Sequence, residues 1–532
     1  MRNRRTWGMV VVLGLLLAQS VGSGPVLLEA AVAQPVSSVA SDDGDTYSAL
    51  AIGVPLEDLK TAPVVEDAGA VSVLYSSAAG LSLVGEQLWF QDSPDVGGTS
   101  EPYDLFGSAL AAGDFDGDGY PDLAVGAPGQ DVGAAFGAGI VQVFYSSATR
   151  VTAWDEWWDQ SAAIEDTPEL ADAFGSALAV GDFDGDGYDD LAVGVPREDK
   201  GDVVDAGAVN VIYGSSEGLI TTGNQIWYQD AFPYSGSEAG DWFGSVLAAG
   251  YFNGDNYADL AIGVPMENWG DKFDSGLVHV MYGTSAGLSS AGGQTWAQNN
   301  IFLEDEIEAF DHFGAALCAG DFDRDGADDL AVGVPGENVD GQFSAGAVHV
   351  LYLYTLDFQF WYQDGTYVRD GAESDDRFGW ALAAGDFDGN GYDDLAIGVP
   401  DEGIEPKEEV GAVNVLYGEI GGLSGELTQL WHQDILPGGA ETGDGFGRAL
   451  AAGDFDGNGC DDLAIGVPYE DFLFKDDAGA VNVLYGCRAD MEIWNQGMPG
   501  SPTALEAGDG FGLALATIPF AKQKVFLPMV MR

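Results

Sequence analysis

Three short motifs each recur seven times along the chain, always in the same order. Phe-Gly begins at Phe106, Phe174, Phe243, Phe313, Phe378, Phe446 and Phe511, at intervals of 65 to 70 residues. Trp-x-Gln begins at Trp89, Trp158, Trp227, Trp296, Trp361, Trp431 and Trp494. Gly-Val-Pro or Gly-Ala-Pro begins at Gly53, Gly126, Gly194, Gly263, Gly333, Gly398 and Gly466. Such a period restricts the chain to repeat architectures, in which each unit buries its apolar face only against a neighbour.

Within a unit the pattern reads as four short strands. In the third unit these are Phe174–Gly181 (A), Asp190–Val195 (B), Ala208–Tyr213 (C) and Gln225–Gln229 (D), with turn residues such as Gly214–Gly218 between them. Four antiparallel strands per unit, with no polar capping repeat, fit a closed propeller better than an open stack. The ends sharpen the point. The N-terminal portion starts at a B strand, Ala49-Leu-Ala-Ile-Gly-Val-Pro, and the C-terminal portion stops at an A strand, Phe511-Gly-Leu-Ala-Leu-Ala. Together they make one blade. The expected fold is therefore all-β: a seven-bladed β-propeller of four-stranded antiparallel blades over 41–520. Pairing of the C-terminal strand with the N-terminal blade closes it and covers that edge.

Composition excludes some partners. With 87 Asp+Glu against 18 Lys+Arg, a net charge of −69 leaves almost nothing to neutralise phosphates, so nucleic acid is excluded and anionic lipid disfavoured. At 46% hydrophobic residues, the acidity does not imply disorder. Arg2, Arg4 and Arg5 precede an apolar run, Met9–Ala18, and Ala31-Val-Ala33 offers a cleavage site, so 1–33 reads as a signal peptide and the run is too short to span a bilayer. No later segment has the length of a membrane span, and the expected location is secreted or extracellular, including the cell surface. The tail 521–532 reads as a retention tag or merely a strand. Of three cysteines, Cys318 falls in an apolar strand, and Cys460 and Cys487 share a repeat, with their distance left open.

Definite chemistry sits between strands A and B. The first complete copy reads Asp114-Phe-Asp116-Gly-Asp118-Gly119-Tyr120-Pro-Asp122. Side-chain oxygens at positions 1, 3, 5 and 9 and a carbonyl at position 7 make an oxygen cage for Ca2+, and glycine at position 6 allows the bend. The copies are Asp182, Asp184, Asp186, Tyr188 and Asp190; Asp321, Asp323, Asp325, Ala327 and Asp329; Asp386, Asp388, Asn390, Tyr392 and Asp394; and Asp454, Asp456, Asn458, Cys460 and Asp462. These five are the expected calcium sites. A sixth, weak one keeps Asn253, Asp255, Tyr257 and Asp259 but has Tyr251 first and Asn256 for the glycine. The clasp copy, from Ser41 to Ala49, lacks the last acid and is expected to be vacant. An EF-hand would need an acid at position 12 and flanking helices, whereas position 12 here is Val125, Val193, Val332, Ile397 or Ile465 inside a strand pattern.

Through its Phe-Gly pairs, acidic loops and Gly-x-Pro triplets the chain resembles the FG-GAP repeat family, whose members include the propeller heads of integrin α-subunits. The resemblance runs from about Ser41 to Pro519. It implies structural calcium in those loops, and an adhesion or recognition role for protein or carbohydrate ligands on the face built from B–C and D–A loops. Phospholipases specific for glycolipid anchors join such repeats to a catalytic domain, for which this chain has no room.

No nucleophile elbow, phosphate loop or zinc-protease helix is present. His279 and His349 take the place of Asn210, Asn414 and Asn482; His312 precedes a Phe-Gly pair and His432 replaces Tyr228, so all four histidines read as structural variants and no catalytic residue is expected. The Trp-x-Gln stripe reads as blade packing; Trp154, Trp157, Trp242, Trp269 and Trp380 lie outside the repeat and are better binding candidates. Variable loops at Pro55–Ala68, Pro128–Ala138, Ala231–Trp242 and Asn299–His312 mark the recognition face. The alternative function is a secreted hydrolase or lyase. A pair of carboxylates on that face, away from the calcium loops and with one raised pKa, would favour it.

Overall fold

The computed structural model describes residues 48–519, except 60–63, 78, 95, 148–149, 164–166, 233–234, 299–305, 365, 405, 437–438, 473–474, 489 and 499–505. The expected signal peptide (1–33), most of the clasp loop and the tail lie outside the described residues.

The strands form seven four-stranded sheets, each paired in antiparallel order A-B-C-D. Blade 3 is built from Ala177–Gly181, Asp190–Val195, Ala208–Tyr213 and Ile220–Trp227. Strand B is buried along its whole length, as expected of a central strand packed on both faces. The innermost strands are Ala109–Gly113, Ala177–Gly181, Val246–Gly250, Ala316–Gly320, Leu382–Gly385, Leu450–Gly453 and Ala514–Pro519. Each contacts the next, and the last contacts the first, so the ring is closed. The clasp forms as expected: Ser48–Val54 pairs with Ala514–Pro519 from Ser48↔Pro519 to Gly53↔Ala514.

Two strand assignments shift. Strand A begins after the Phe-Gly pair, at Ala177 in blade 3, and strand D reaches back to Ile220. The pair is a blade-to-blade anchor instead. Gly175 has φ +87° and lies against the Ile140 carbonyl of blade 2, a conformation and an approach that only glycine tolerates. Phe174 is wholly buried, like Phe106, Phe243, Phe313, Phe378 and Phe446. A Cβ on Gly126, in the Gly-Ala-Pro triplet of blade 2, would run into the Gly175 carbonyl, and Gly194 meets Gly244 in the same way. Glycine thus faces glycine at the junctions.

Hydrogen bonds add further inter-blade ties. Tyr145, in strand C of blade 2, accepts the Leu219 N–H of blade 3 at 2.9 Å; Tyr213, Tyr352 and Tyr485 do the same for Leu288, Leu423 and Leu81. On the other side of the ring the glutamine of each Trp-x-Gln reaches the next blade. Gln160 donates to Glu198, Gln229 to Glu267, Gln298 to Glu337, Gln363 to Glu402, Gln433 to Glu470, and Gln496 across the clasp to Glu57. At the remaining junction Gln91 donates to Gln130. The stripe is packing, as read from the sequence, and its glutamine is the tie.

Candidate metal centres

Each acidic hairpin joins strand A to strand B, and its own backbone holds it shut. In the first complete copy Asp114 Oδ2 accepts the Gly119 N–H at 3.0 Å, Asp116 Oδ1 that of Asp118 at 3.0 Å, and Asp118 Oδ1 that of Tyr120 at 2.9 Å. Asp122 is buried and doubly bonded, to the Phe115 N–H at 3.0 Å and to the Ser146 N–H near the end of strand C at 2.8 Å. The same ladder recurs through Asp182, Asp184, Asp186 and Asp190. It recurs through Asp386, Asp388, Asn390 and Asp394. Asp321, Asp323, Asp325 and Asp329 follow it up to the Ala327 N–H.

Both oxygens of Asp122, Asp182, Asp190, Asp386 and Asp394 accept backbone N–H groups, whereas Asp116, Asp184 and Asp388 each accept through Oδ1. Asp114, Asp116 and Asp122 bring carboxylate oxygens within 4.8 Å of one another, as do Asp182, Asp184 and Asp190, Asp321, Asp323 and Asp325, and Asp386, Asp388 and Asp394. Asp114 Oδ1 and Asp321 Oδ1 are buried with no hydrogen-bond partner. Burial, opposed by backbone hydrogen bonds and reinforced by the facing carboxylates, pushes Asp122 up to about 9 and Asp190 and Asp394 to about 8. For Asp329, raised to about 9, burial comes first and the Asp323 charge second. Buried, mutually repelling, all-oxygen donors at this spacing fit a hard divalent cation, which takes 6–8 oxygens at about 2.3–2.6 Å.

The last two copies differ. At Asp454, Asp456, Asn458 and Asp462 the ladder is intact, but Arg488 pairs with Asp456. Its guanidinium opposes a cation at this copy. Cys460, the position-7 residue, is disulfide-bonded to Cys487, with Cα atoms 6.1 Å apart, which settles the pairing left open by the sequence. In the weak copy the Asn253 amide lies 3.4 Å from Asp259 Oδ1 and Asp255 accepts the Tyr257 N–H at 2.9 Å, so the hairpin closes without its first acid.

Sequence reading missed the acid at position 8. Asp189 accepts the Asp114 N–H at 2.8 Å, and Asp393 and Asp461 do the same for Asp321 and Asp386, chaining hairpin to hairpin around the rim. The Asp-Asp doublets at 189–190, 393–394 and 461–462 were the visible signal.

On the opposite face the B–C and D–A loops meet at the junctions. Phe310 donates its N–H to Phe273, Ala171 to Phe136 and Asp375 to Phe343. The side chains of Phe136, Leu170, Phe273, Phe310 and Phe343 are exposed. Trp154, Trp157 and Trp269 are exposed as well, whereas Trp242 lies under Arg197 and Trp380 between Arg377 and Arg448, with the guanidinium carbons 5.0–5.4 Å from the ring centres. A cleft of about 620 Å³ opens between blades 5 and 6, lined by Glu373, Asp376, Arg377, Asp401 and Glu409 among others, outside the loops singled out in the sequence. His279 is stacked on Phe232 at 4.0 Å, and His349 lies between Phe313 and Phe360. Burial holds His279 down to about 3 and His312 to about 4.

Closed ring, seven blades and acidic A–B hairpins define the class: a β-propeller whose loops on one face are built around convergent carboxylates. The chain belongs to the FG-GAP repeat family, with six FG-GAP repeats matched at residues 106–144, 174–212, 243–281, 313–351, 378–416 and 446–484. Integrin alpha-PS2 of Drosophila melanogaster is 33% identical over 243 residues, 44% of this chain and 16% of that protein. Integrin alpha-V of Gallus gallus is 30% identical over 264 residues, 48% of this chain and 22% of that one. Phosphatidylinositol-glycan-specific phospholipase D of Bos taurus is 34% identical over 188 residues, 35% of this chain and 22% of the enzyme. The chain spans less than a quarter of the length of each of these relatives. Among the described residues no helix is long and apolar enough to cross a membrane.

Proposed function

We propose that this chain is an exported, calcium-stabilised recognition module, without catalysis of its own, that binds a protein or carbohydrate ligand on the face opposite its acidic hairpins. The single observation that carries the reading is the division of labour between the faces. One is locked by repeated carboxylate ladders with unpartnered oxygens turned inward. The other presents exposed aromatic tips on loops that vary from blade to blade. Ca2+ would supply charge neutralisation there; Asp114, Asp116, Asp118 and Asp122, the carbonyl of Tyr120 and the equivalent residues of the Asp182, Asp321 and Asp386 hairpins would hold it. The likeness to integrin α-subunits supports an adhesive role, and the exposed Phe136, Phe273, Phe310, Phe343 and Trp269 on the loops of that face offer an apolar docking surface.

The hydrolase alternative has one observation in its favour. Asp376 lines the cleft and Glu402 is buried behind it between the lining residues Asp401 and Gly403, with carboxyls raised to about 6 and about 8, mainly by burial. Yet Glu267 beside Asp241 and Glu470 beside Asp444 reproduce the arrangement at other junctions, which makes it a property of the repeat rather than of one active centre. Thermal melting with and without a calcium chelator tests the ion, and surface pull-down and a glycan array at matched free calcium test the ligand. Unchanged melting after chelation would remove the structural ion. Binding that survives conversion of Phe136, Phe273 and Phe343 to Ser would move recognition off this face.

A further inference from the structure

The Asp454 hairpin departs from the others at three positions together. Its position-7 residue is Cys460, where Tyr120, Tyr188, Tyr257 and Tyr392 stand in other copies, and the turn after strand C of its blade reads Gly486-Cys487-Arg488. The last acid of each hairpin fixes the register of that turn. Asp190 accepts the Gly214 N–H, Asp259 that of Gly283, Asp394 that of Gly418 and Asp462 that of Gly486. Two residues beyond those glycines stand Ser216, Ser285, Ile420 and Arg488. Of these four only Arg488 is charged.

The disulfide accounts for the arginine's place. The Cys460 and Cys487 sulfurs lie against Gly389 of the preceding hairpin, as the Tyr188 and Tyr257 rings lie against Gly117 and Gly185. The bonded pair thus replaces a tyrosine ring as packing and ties hairpin to turn, with Arg488 the next residue along. Its guanidinium donates to Asp456 Oδ2, while Asp456 Oδ1 accepts the Asn458 N–H at 3.0 Å. The equivalent Asp116, Asp184 and Asp388 also accept their backbone N–H through Oδ1. Arg488 therefore holds the oxygen that those copies leave to a cation. Asp456 is 4% exposed, and a carboxylate so buried is costly without an opposite charge. A guanidinium, always charged and weakly hydrated, is suited to supply it. Asp456 and, behind it, Asp490 and Asp462 all stabilise the charged form of Arg488.

The same blade carries the clasp. The Asp454 carbonyl accepts the Ser48 N–H at 2.8 Å and the Ala452 carbonyl accepts the Thr517 hydroxyl at 2.6 Å, so both strands of the closing ladder are tied to it. We propose that Arg488 is the resident cation of the Asp454 hairpin, standing where other hairpins take Ca2+, so that the blade bearing the clasp keeps its counter-charge when calcium is withdrawn. This removes Asp454, Asp456, Asn458, Cys460 and Asp462 from the five calcium sites expected from the sequence, and it rests on the calcium reading of the remaining hairpins.

The test counts ions and then removes them. Full-length wild type and Arg488→Ser, which installs the residue of positions 216 and 285, are dialysed to equilibrium at saturating free Ca2+, and bound calcium per chain is measured by atomic emission. Both are also melted in chelator and in calcium. The variant keeps the hairpin's backbone ladder and the disulfide. It is expected to bind one ion more than wild type, and to melt below wild type in chelator but level with it in calcium. An unchanged ion count overturns the proposal. So does an equal drop in melting temperature with and without calcium, which marks an ordinary surface ion pair. If wild type and variant both bind no calcium, the calcium reading of the hairpins falls as well; if both bind the same number, this inference falls alone.

Discussion

Removing the C-terminal strand tests ring closure most directly. A chain ending at Gly510 loses the Ser48↔Pro519 to Gly53↔Ala514 ladder and strips Phe511, Leu515 and Ile518 from the core, where each is at most 3% exposed. At about 1.5–3 kcal/mol per large apolar side chain, the lost burial amounts to about 5–9 kcal/mol. A folded domain holds only about 5–15 kcal/mol in total. The same cut exposes Ser48–Val54, a strand buried at every position, as a free edge able to pair with other chains. The truncated protein should therefore unfold at much lower denaturant and elute as aggregate in size-exclusion chromatography. Ile518→Ala, which keeps the ladder, should cost about 2–5 kcal/mol and stay monodisperse. A truncated chain that remains monodisperse with an unchanged unfolding midpoint would refute closure as a source of stability.

Further outcomes follow from the hairpins, a histidine and the disulfide. Asp190→Ala orphans the buried N–H groups of Phe183 and Gly214 and should cost about 2–6 kcal/mol even in chelator. Asp186→Ala, which frees only the exposed Tyr188 N–H, should matter chiefly when calcium is present; equal losses for both in chelator would contradict this. Unfolded His279 takes a proton near 6.5, whereas burial keeps it neutral in the fold down to about 3. At this group protons therefore favour the unfolded chain, and the His279 contribution to stability should fall by up to about 5 kcal/mol as the pH drops between those values. His279→Asn, the residue at 210, 414 and 482, should flatten that slope in denaturation curves taken across the window. Reducing Cys460–Cys487 opens a loop with a sequence separation of 27 and should destabilise the chain by about 3–4 kcal/mol, as read from denaturation curves taken with and without reductant.

Much of this molecule was legible in its sequence because a repeat multiplies weak signals. Strands B and C of blade 3, Asp190–Val195 and Ala208–Tyr213, were placed residue for residue, since alternating β-branched residues bounded by glycines leave little freedom. In four of the hairpins three of the expected acids bring carboxylate oxygens within 4.8 Å of one another, while Asp118, Asp186 and Asp329 stand outside those groups. Phe174-Gly175 was read into strand A because nothing local distinguishes it, yet Gly175 needs its positive φ to approach blade 2, and a neighbouring blade is invisible in one repeat. The partners of the Trp-x-Gln glutamines escaped for the same reason: Gln229 and Glu267 lie 38 residues apart. Arg488 on Asp456 is a private feature of one copy, and repetition cannot reveal an exception.

Where Gly126 meets Gly175 and Gly194 meets Gly244, adjoining blades touch backbone to backbone. The wedge angle each unit subtends is then dictated by covalent geometry, with no side chain to shim it. A torus assembled on such contacts counts in integers: surface loops can lengthen, shorten or change chemistry freely, while the circumference admits neither a fraction of a blade nor a gradual change in radius.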